Sequence, residues 1–200
     1  DTHVTQQIKL LSLSAENSFI PQCGLAPGFI NLAANSLIQE FDQVENAFLR
    51  VGALPQKSNH GLFYSLTWSL EGLINEYLNP CQAICQGRAT LLPPLENYEL
   101  ITVEGTTFEA FNTSGGLGSL CELYEGKITN LNYKTLRYVG HCEKIKFLLH
   151  DLKLSQDIKT LKQIFEKALP RTVQDLVVIY IQISGYKNGE YLDKTYFKKI

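Results

Sequence analysis

No methionine occurs anywhere in these 200 residues. The chain therefore carries no initiator. Its first segment, "THVTQQIKLLSLSAEN", sets Val4, Ile8, Leu11 and Ala15 at helical spacing, with no earlier element for that face to pack on. The expectation is a piece of a longer protein that opens in mid-element. Apolar runs of membrane length are missing too. The longest, "DLVVIYIQI" at 175–183, has the length of a strand, against the ~20 residues of a spanning helix. The polar stretch Asp1 to Gln7 lacks the basic segment and apolar core of a signal peptide. No block of basic residues exists either: 18 Lys and Arg stand against 20 Asp and Glu, for a formal net charge of −2. Nucleic acid and anionic membranes are thereby excluded as partners.

Catalytic and metal signatures are equally scarce. Cys81 and Cys85 have no matching Cys or His pair at finger spacing, and His3, His60, His141 and His150 form no H-E-x-x-H pattern. No G-x-S-x-G elbow is present. Five cysteines (Cys23, Cys81, Cys85, Cys121 and Cys142) are an odd number in a chain that is not small. They read as reduced thiols of a cytoplasmic protein rather than as a disulfide framework. The Asn112-Thr113-Ser114 sequon is then a coincidence.

What is there is a core. Two hundred residues suffice for one large domain or two small ones, and a hydrophobic content of 44% can fill a proper core. "SFIPQCGLAPGF" reads as a short strand entering a turn at Gly24, Pro27 and Gly28. Ile30, Ala33, Ala34, Leu37, Ile38 and Phe41 then form a helical stripe. Strands are expected at 44–54 and at 61–69, the latter feeding a helix capped by Ser69, buried through Leu70, Leu73, Ile74 and Tyr77, and stopped at Asn79-Pro80. The middle is strand-rich ("ATLLPP", "YELITVEG", "TTFEAFNT", "NYKTLRYVG"). Helices are expected from Ser114 to Glu125, from His141 to Leu152, and from a Ser155 cap to Ala168. A closing hairpin turns at Lys187-Asn188-Gly189. The fold class is α+β: a mixed, mostly antiparallel sheet with helices on one face.

Three segments can carry chemistry. At Cys23-Gly24 a strand would turn into a helix, where unpaired N–H groups favour ligands, although an ordinary tight connection has the same composition. Thr113-Ser114-Gly115-Gly116-Leu117-Gly118 offers hydroxyls and N–H groups that could hold a carboxylate, or could serve as a plain loop. It is not a dinucleotide fingerprint, since Cys121 stands where the third glycine is needed. In Lys134 to His141, alternation sets Lys134, Leu136 and Tyr138 on one strand face and Thr135, Arg137 and Val139 on the other. Arg137 suits bidentate pairing with a carboxylate, and His141 suits general acid–base work. A surface ion pair and a helix-capping histidine would leave the same trace.

Together, "PQCGLAPGFINLAANSL", "LTWSLEGLINEYLNP", "EAFNTSGGLGSL" and "YKTLRYVGHCEKIKFLL" resemble the saccharopine dehydrogenase family, and within it the lysine 6-dehydrogenase-like members, over about residues 1 to 190. Val139 departs from the proline expected in "RYPGH". The resemblance implies a parent enzyme with an N-terminal Rossmann domain for NAD or NADP and a second domain that holds a small amino-acid substrate and builds a homodimer. Residues 1–22 would be the last helix and strand of the Rossmann domain and 23–200 the substrate domain, with no cofactor held by this piece alone. The reaction implied is oxidoreduction at the CH–NH group of lysine or a lysine derivative. Arg137, Gly115, Gly116 and Trp68 would then bind substrate, His141 or a depressed-pKa Lys134 would act as base, and Cys23 and Gly24 would lie beside the nicotinamide. A non-catalytic dimerisation or scaffold domain of the same descent is the alternative.

Overall fold

The structure is a computed structural model that describes residues 2–57 and 60–200, and side chains within 7–57 and 60–200. Val4 and His3 of the expectations above have side chains outside those residues.

Three two-residue turns organise the sheet. Gln86-Gly87, Glu104-Gly105 and Asn188-Gly189 each join a left-handed non-glycine residue (φ 52°, 46° and 51°) to a left-handed glycine (φ 80°, 75° and 82°). Two positive φ angles in a row give the turn whose twist matches that of paired strands. These turns close β2 (Cys81–Cys85) on β3 (Arg88–Leu92), β4 (Glu99–Val103) on β5 (Thr106–Asn112), and β7 (Asp175–Lys187) on β8 (Glu190–Lys199). Two further strands, β1 (Gln43–Pro55) and β6 (Ile128–Tyr138), join the hairpins into one eight-stranded sheet of order β3-β2-β6-β1-β7-β8. The outer edge of β6 is shared, with β2 meeting it at Leu131 and β5 from Lys134 to Tyr138. Only β1 and β6 run parallel; the other pairings are antiparallel.

Alternation sorts the strand side chains. Ala47, Leu49 and Val51 of β1, Leu131 and Tyr133 of β6, and Ile179, Ile181 and Ile183 of β7 share one face. On it lie α2 (Phe29–Ile38), through Ile30, Ala34 and Ile38 four residues apart, and the single turn α4 (Leu120–Tyr124). Beyond Val51 the same face carries α3 (Leu70–Leu78), α5 (His141–Lys146) and α6 (Ile158–Ala168), which pack with Tyr64, Phe111 and Leu66 into a second core. The expected cap of α3 is present: Ser69 Oγ accepts the Gly72 N–H at 3.2 Å. Helix α1 (Thr2–Ser12) precedes this body, and no described helix is long and apolar enough to cross a membrane.

Strand β1 carries a bulge between Val44 and Asn46, and Gly185 of β7 faces it. A Cβ on Gly185 would lie 2.1 Å from the Gln43 carbonyl oxygen and 2.8 Å from the Val44 Cα, both backbone atoms that cannot step aside. Gly185→Ala should therefore destabilise the domain by about 3 kcal/mol, the upper range for overpacking. Urea unfolding measures this, and an unchanged midpoint would remove the close contact.

Several expectations are corrected. Residues 18–23 form no strand: Phe19 and Ile20 are exposed and no neighbouring strand pairs with them, so the strand of a Rossmann remnant is not seen there. Residues 61–69 form no strand among the described residues; their backbone makes an isolated bridge from Leu66 to Arg171. The helix expected from Ser114 shrinks to Leu120–Tyr124, because Gly115 and Gly118 take left-handed φ (91° and 53°) that unwinds its first half. After Lys146 the α5 helix widens into a π turn, Phe147–Asp151. Asp157, not Ser155, caps α6, while Ser155 donates back to the Leu149 carbonyl. Strand β2 was not expected, and its ends are Cys81 and Cys85.

Candidate functional site

The parallel strands β1 and β6 end side by side. Helix-facing side chains near their ends, Val51 and Ala53 from one and Thr135 and Arg137 from the other, floor a cavity of about 380 Å³ with Val177 and Tyr133. Gly24, Leu25 and Ala26, at the corner before α2, form one wall. Thr67, Trp68 and Glu76, from α3 and the loop before it, form the other. Carboxyl ends of parallel strands are the usual place for ligands in such sheets, because connections diverge there and leave a crevice.

Arg137 is 2% exposed. Its Nε donates to the Tyr77 hydroxyl (3.2 Å), its Nη1 to Thr135 Oγ1 (2.5 Å) and the Leu136 carbonyl (2.9 Å), and its Nη2 to Glu76 Oε2 (3.3 Å). The Tyr64 ring lies 4.9 Å from the guanidinium carbon. Burial disfavours the charge, but the surrounding phenols Tyr77 and Tyr64 and the Glu76 carboxylate outweigh it, so the cation is permanent. A guanidinium has five N–H groups. One N–H of Nη2 finds no partner among the described residues, on a side chain that lines the cavity.

Glu76 is the second charge of the cavity. Burial pushes its carboxyl up to about 7, against the pull of Arg137. Behind the pair, the buried Tyr77 hydroxyl lies 2.8 Å from His141 Nε2, whose Nδ1 lies 2.6 Å from the Leu62 carbonyl oxygen. Burial first, and then the Arg137 charge, hold the His141 imidazole down at about 3. The Trp68 indole donates to Tyr64 (2.9 Å) and packs its Cζ3 edge against Gly72, where an added Cβ would come within 2.3 Å of the ring.

A cavity at the ends of β1 and β6, walled by the Gly24 corner, is thus held between the parallel strands and α3. The family model for the saccharopine dehydrogenase C-terminal domain matches residues 24–197, from that corner to the last strand. The chain belongs to this family. It is also similar in structure to saccharopine dehydrogenase (L-Glu forming) of Saccharomyces cerevisiae in its apo form, with a TM-score of 0.64 at 16% identity over 88% of this chain and 58% of that one. The match thus spans less than two thirds of that protein, and at such identity it speaks for the fold alone.

Within this saccharopine dehydrogenase C-terminal domain, the residues singled out from sequence divide into groups. Arg137, Trp68 and Gly24 meet at the cavity. Cys23 is exposed beside Gly24, with its thiol directed at the Ile20 carbonyl (3.1 Å). His141 lies behind Arg137 and reaches it only through Tyr77. Gly116 packs against the Tyr133 ring, and the Asn31 amide ties down the carbonyls of Gly116 and Leu117 (3.1 and 2.8 Å), so the loop after Gly115 is locked through its acceptors. Its N–H groups open no long helix, since α4 is a five-residue turn.

Lys134 lies on the opposite face of the sheet. It pairs there with Glu99 (2.9 Å), which also holds Arg50 (2.5 Å). Burial lowers the Lys134 pKa, as does the Arg50 charge, while Glu99 opposes both. The depressed lysine exists, but its amine is turned away from the cavity. Lys134 and Arg137 therefore serve no common site, the geometry that strand alternation requires. Glu76, Thr67 and Tyr133 were missed. Glu76 precedes the buried Tyr77 on α3, and a carboxylate next to the apolar stripe of a helix was its only sequence trace. Among the described residues no group of three His, Cys, Asp or Glu side chains is placed to hold a metal ion.

Proposed function

We propose that this chain is the substrate-holding domain of an NAD(P)-dependent amino-acid oxidoreductase that acts on the CH–NH group of lysine or a lysine derivative. The observation that carries this reading is the buried guanidinium of Arg137, with one N–H uncommitted, on the floor of a cavity that also holds a carboxyl titrating near neutrality. The free N–H suits a substrate carboxylate, and a charge-assisted bond to a buried guanidinium is stronger than one at the surface. Glu76 suits the substrate ammonium. An amine must lose its proton before the carbon beside it can give up hydride, and a carboxylate near pKa 7 accepts that proton at neutral pH while staying ionised often enough to do so. This assigns the base to Glu76 and leaves His141 and Lys134 without contact to substrate.

The residues present do not fit a dinucleotide. The corner before α2 and the loop before α4 both lack G-x-G-x-x-G, and neither follows a strand of the kind that presents it. A nicotinamide supplies acceptance or donation of hydride, and its binding belongs to other parts of the full-length protein. The domain's own work is to bind, orient and deprotonate. A homodimer belongs to the same proposal, since β8 ends the sheet order with one edge unpaired among the described residues.

The test is to titrate the full-length protein with NAD and NADP and to follow cofactor reduction with L-lysine and saccharopine foremost in a panel of amino acids. Reduction with one of them is the expected result. Cofactor binding without turnover on any amine would overturn the substrate assignment, and no cofactor binding would overturn the oxidoreductase reading.

A further inference from the structure

Arg137 can offer an N–H to a ligand only if its planar head is held in one orientation, and the hydrogen-bond pattern behind it shows how. The Leu62 carbonyl can only accept, so the His141 Nδ1 that lies 2.6 Å from it must carry the ring proton. The reverse tautomer would press two lone pairs together in a site where His141 is 1% exposed. His141 Nε2 is then bare and accepts from the Tyr77 hydroxyl at 2.8 Å, which commits the only proton of that phenol. With its proton turned to His141, the Tyr77 oxygen faces Arg137 as an acceptor and takes the Nε–H at 3.2 Å. Every link thus points one way: Arg137 to Tyr77, Tyr77 to His141, His141 to the Leu62 backbone.

The far end is anchored as well. Glu109, 1% exposed, accepts the N–H groups of Gly140 (2.8 Å) and Cys142 (2.5 Å) at the first turn of α5, where His141 sits. On the other side of the guanidinium, Thr135 and the Leu136 carbonyl take both protons of Nη1. Rotation of the head would break several of these bonds at once.

We propose that Tyr77 and His141 are positioning residues, a directed hydrogen-bond chain that clamps the Arg137 guanidinium with its free Nη2–H at the cavity. The proposal rests on the reading of Arg137 as the substrate carboxylate's partner. Neither residue touches the ligand.

The clamp can be read without any ligand, by nitrogen-15 NMR of the chain. His141 is expected with its proton on Nδ1 and a bare Nε2, unchanged from pH 5 to 9, and the Arg137 Nε–H should exchange slowly with solvent. Tyr77→Phe should speed that exchange and weaken L-lysine binding about tenfold, the scale of one hydrogen bond to a charged group. His141→Gln, whose amide oxygen can accept where Nε2 did, should stay closer to the unsubstituted protein in both readouts than His141→Leu, at comparable thermal stability. A proton on Nε2, or an Arg137 Nε–H indifferent to Tyr77→Phe, would overturn the clamp. A protein that passes both spectroscopic tests and binds no L-lysine keeps the clamp and overturns the lysine assignment alone.

Discussion

Replacement of Arg137 by alanine should weaken binding of an amino-acid ligand about a hundredfold, on the scale of a lost charged hydrogen-bond pair, and should also cost the fold about 3 kcal/mol. The stability cost arises because the guanidinium answers to four groups at once. Without it, Thr135 Oγ1 and the Leu136 carbonyl lose a buried donor, Tyr77 loses one of its two partners, and Glu76 is left as a carboxylate without a counter-cation. Glu76 has an escape that the others lack. Its carboxyl already titrates at about 7, and loss of the Arg137 charge raises that further, so the variant protonates Glu76 where the unsubstituted protein does not. The cost should accordingly be larger at pH 8 than at pH 6. Arg137→Lys should not restore binding, because an ammonium cannot serve Tyr77, Thr135, Leu136 and Glu76 from one plane. Urea titrations at the two pH values, with calorimetric titration of L-lysine, test both effects. A cost below about 0.5 kcal/mol, the range of surface substitutions, would show that the guanidinium is not bound as described.

The second large effect is acid sensitivity at His141. Its native pKa is about 3, against an ordinary value of 6.5. Above pH 6.5 both native and unfolded chains hold a neutral ring, and the residue contributes no pH dependence. Below 6.5 the unfolded chain takes up a proton that the native one refuses, so the His141 contribution to stability falls by about 1.4 kcal/mol per pH unit until the native ring titrates. From pH 6.5 to 5 the loss is roughly 2 kcal/mol. Glu76 works in the opposite sense over nearly the same interval. Its native pKa of about 7 lies above the ordinary 4.5, so the native state binds the extra proton and gains stability as pH falls from 7 to 4.5. The two slopes offset each other between pH 6.5 and 4.5, and the unsubstituted protein should look deceptively flat there. His141→Gln uncovers the difference: relative to this variant, the unsubstituted protein should lose roughly 2 kcal/mol between pH 6.5 and 5 by denaturant titration. Parallel curves over that interval would mean that the imidazole is not held neutral.

Much of this was legible in the sequence, and the gaps have physical causes. The stripes of α2 and α3, the Ser69 cap and the Asn188-Gly189 turn depend on neighbours a few residues apart, and each is present. Gln86-Gly87 escaped notice because glutamine is a less obvious left-handed residue than asparagine. Without that turn signal β2 leaves no trace, although Cys81 and Cys85 are its ends. Phe19 and Ile20 suggested a strand through their apolar character, but a strand needs a partner and none lies beside them. At the site, alternation along β6 already separated Lys134 from Arg137, whereas Glu76 could not be found in this way. A carboxylate on a helix is an ordinary solvent residue until tertiary packing brings a guanidinium to it from a strand sixty-one positions further on. The tautomer of His141 depends likewise on the Leu62 carbonyl, seventy-nine positions away.

The position of β1 has a consequence for how the chain comes together. β1 is written early, at 43–55, yet its two hydrogen-bonding neighbours are β6 at 128–138 and β7 at 175–187. The three hairpins need only their own turns and can form as soon as they leave the ribosome. The middle of the sheet cannot. Until most of the chain has been synthesised, Ala47, Leu49 and Val51 have no strand on either side, and the entropy of closing both long loops must be met before any of their burial is returned. This topology favours assembly from the rims inward. The cavity is floored by the ends of β1 and β6, so a ligand site requires that long-range pairing to be in place.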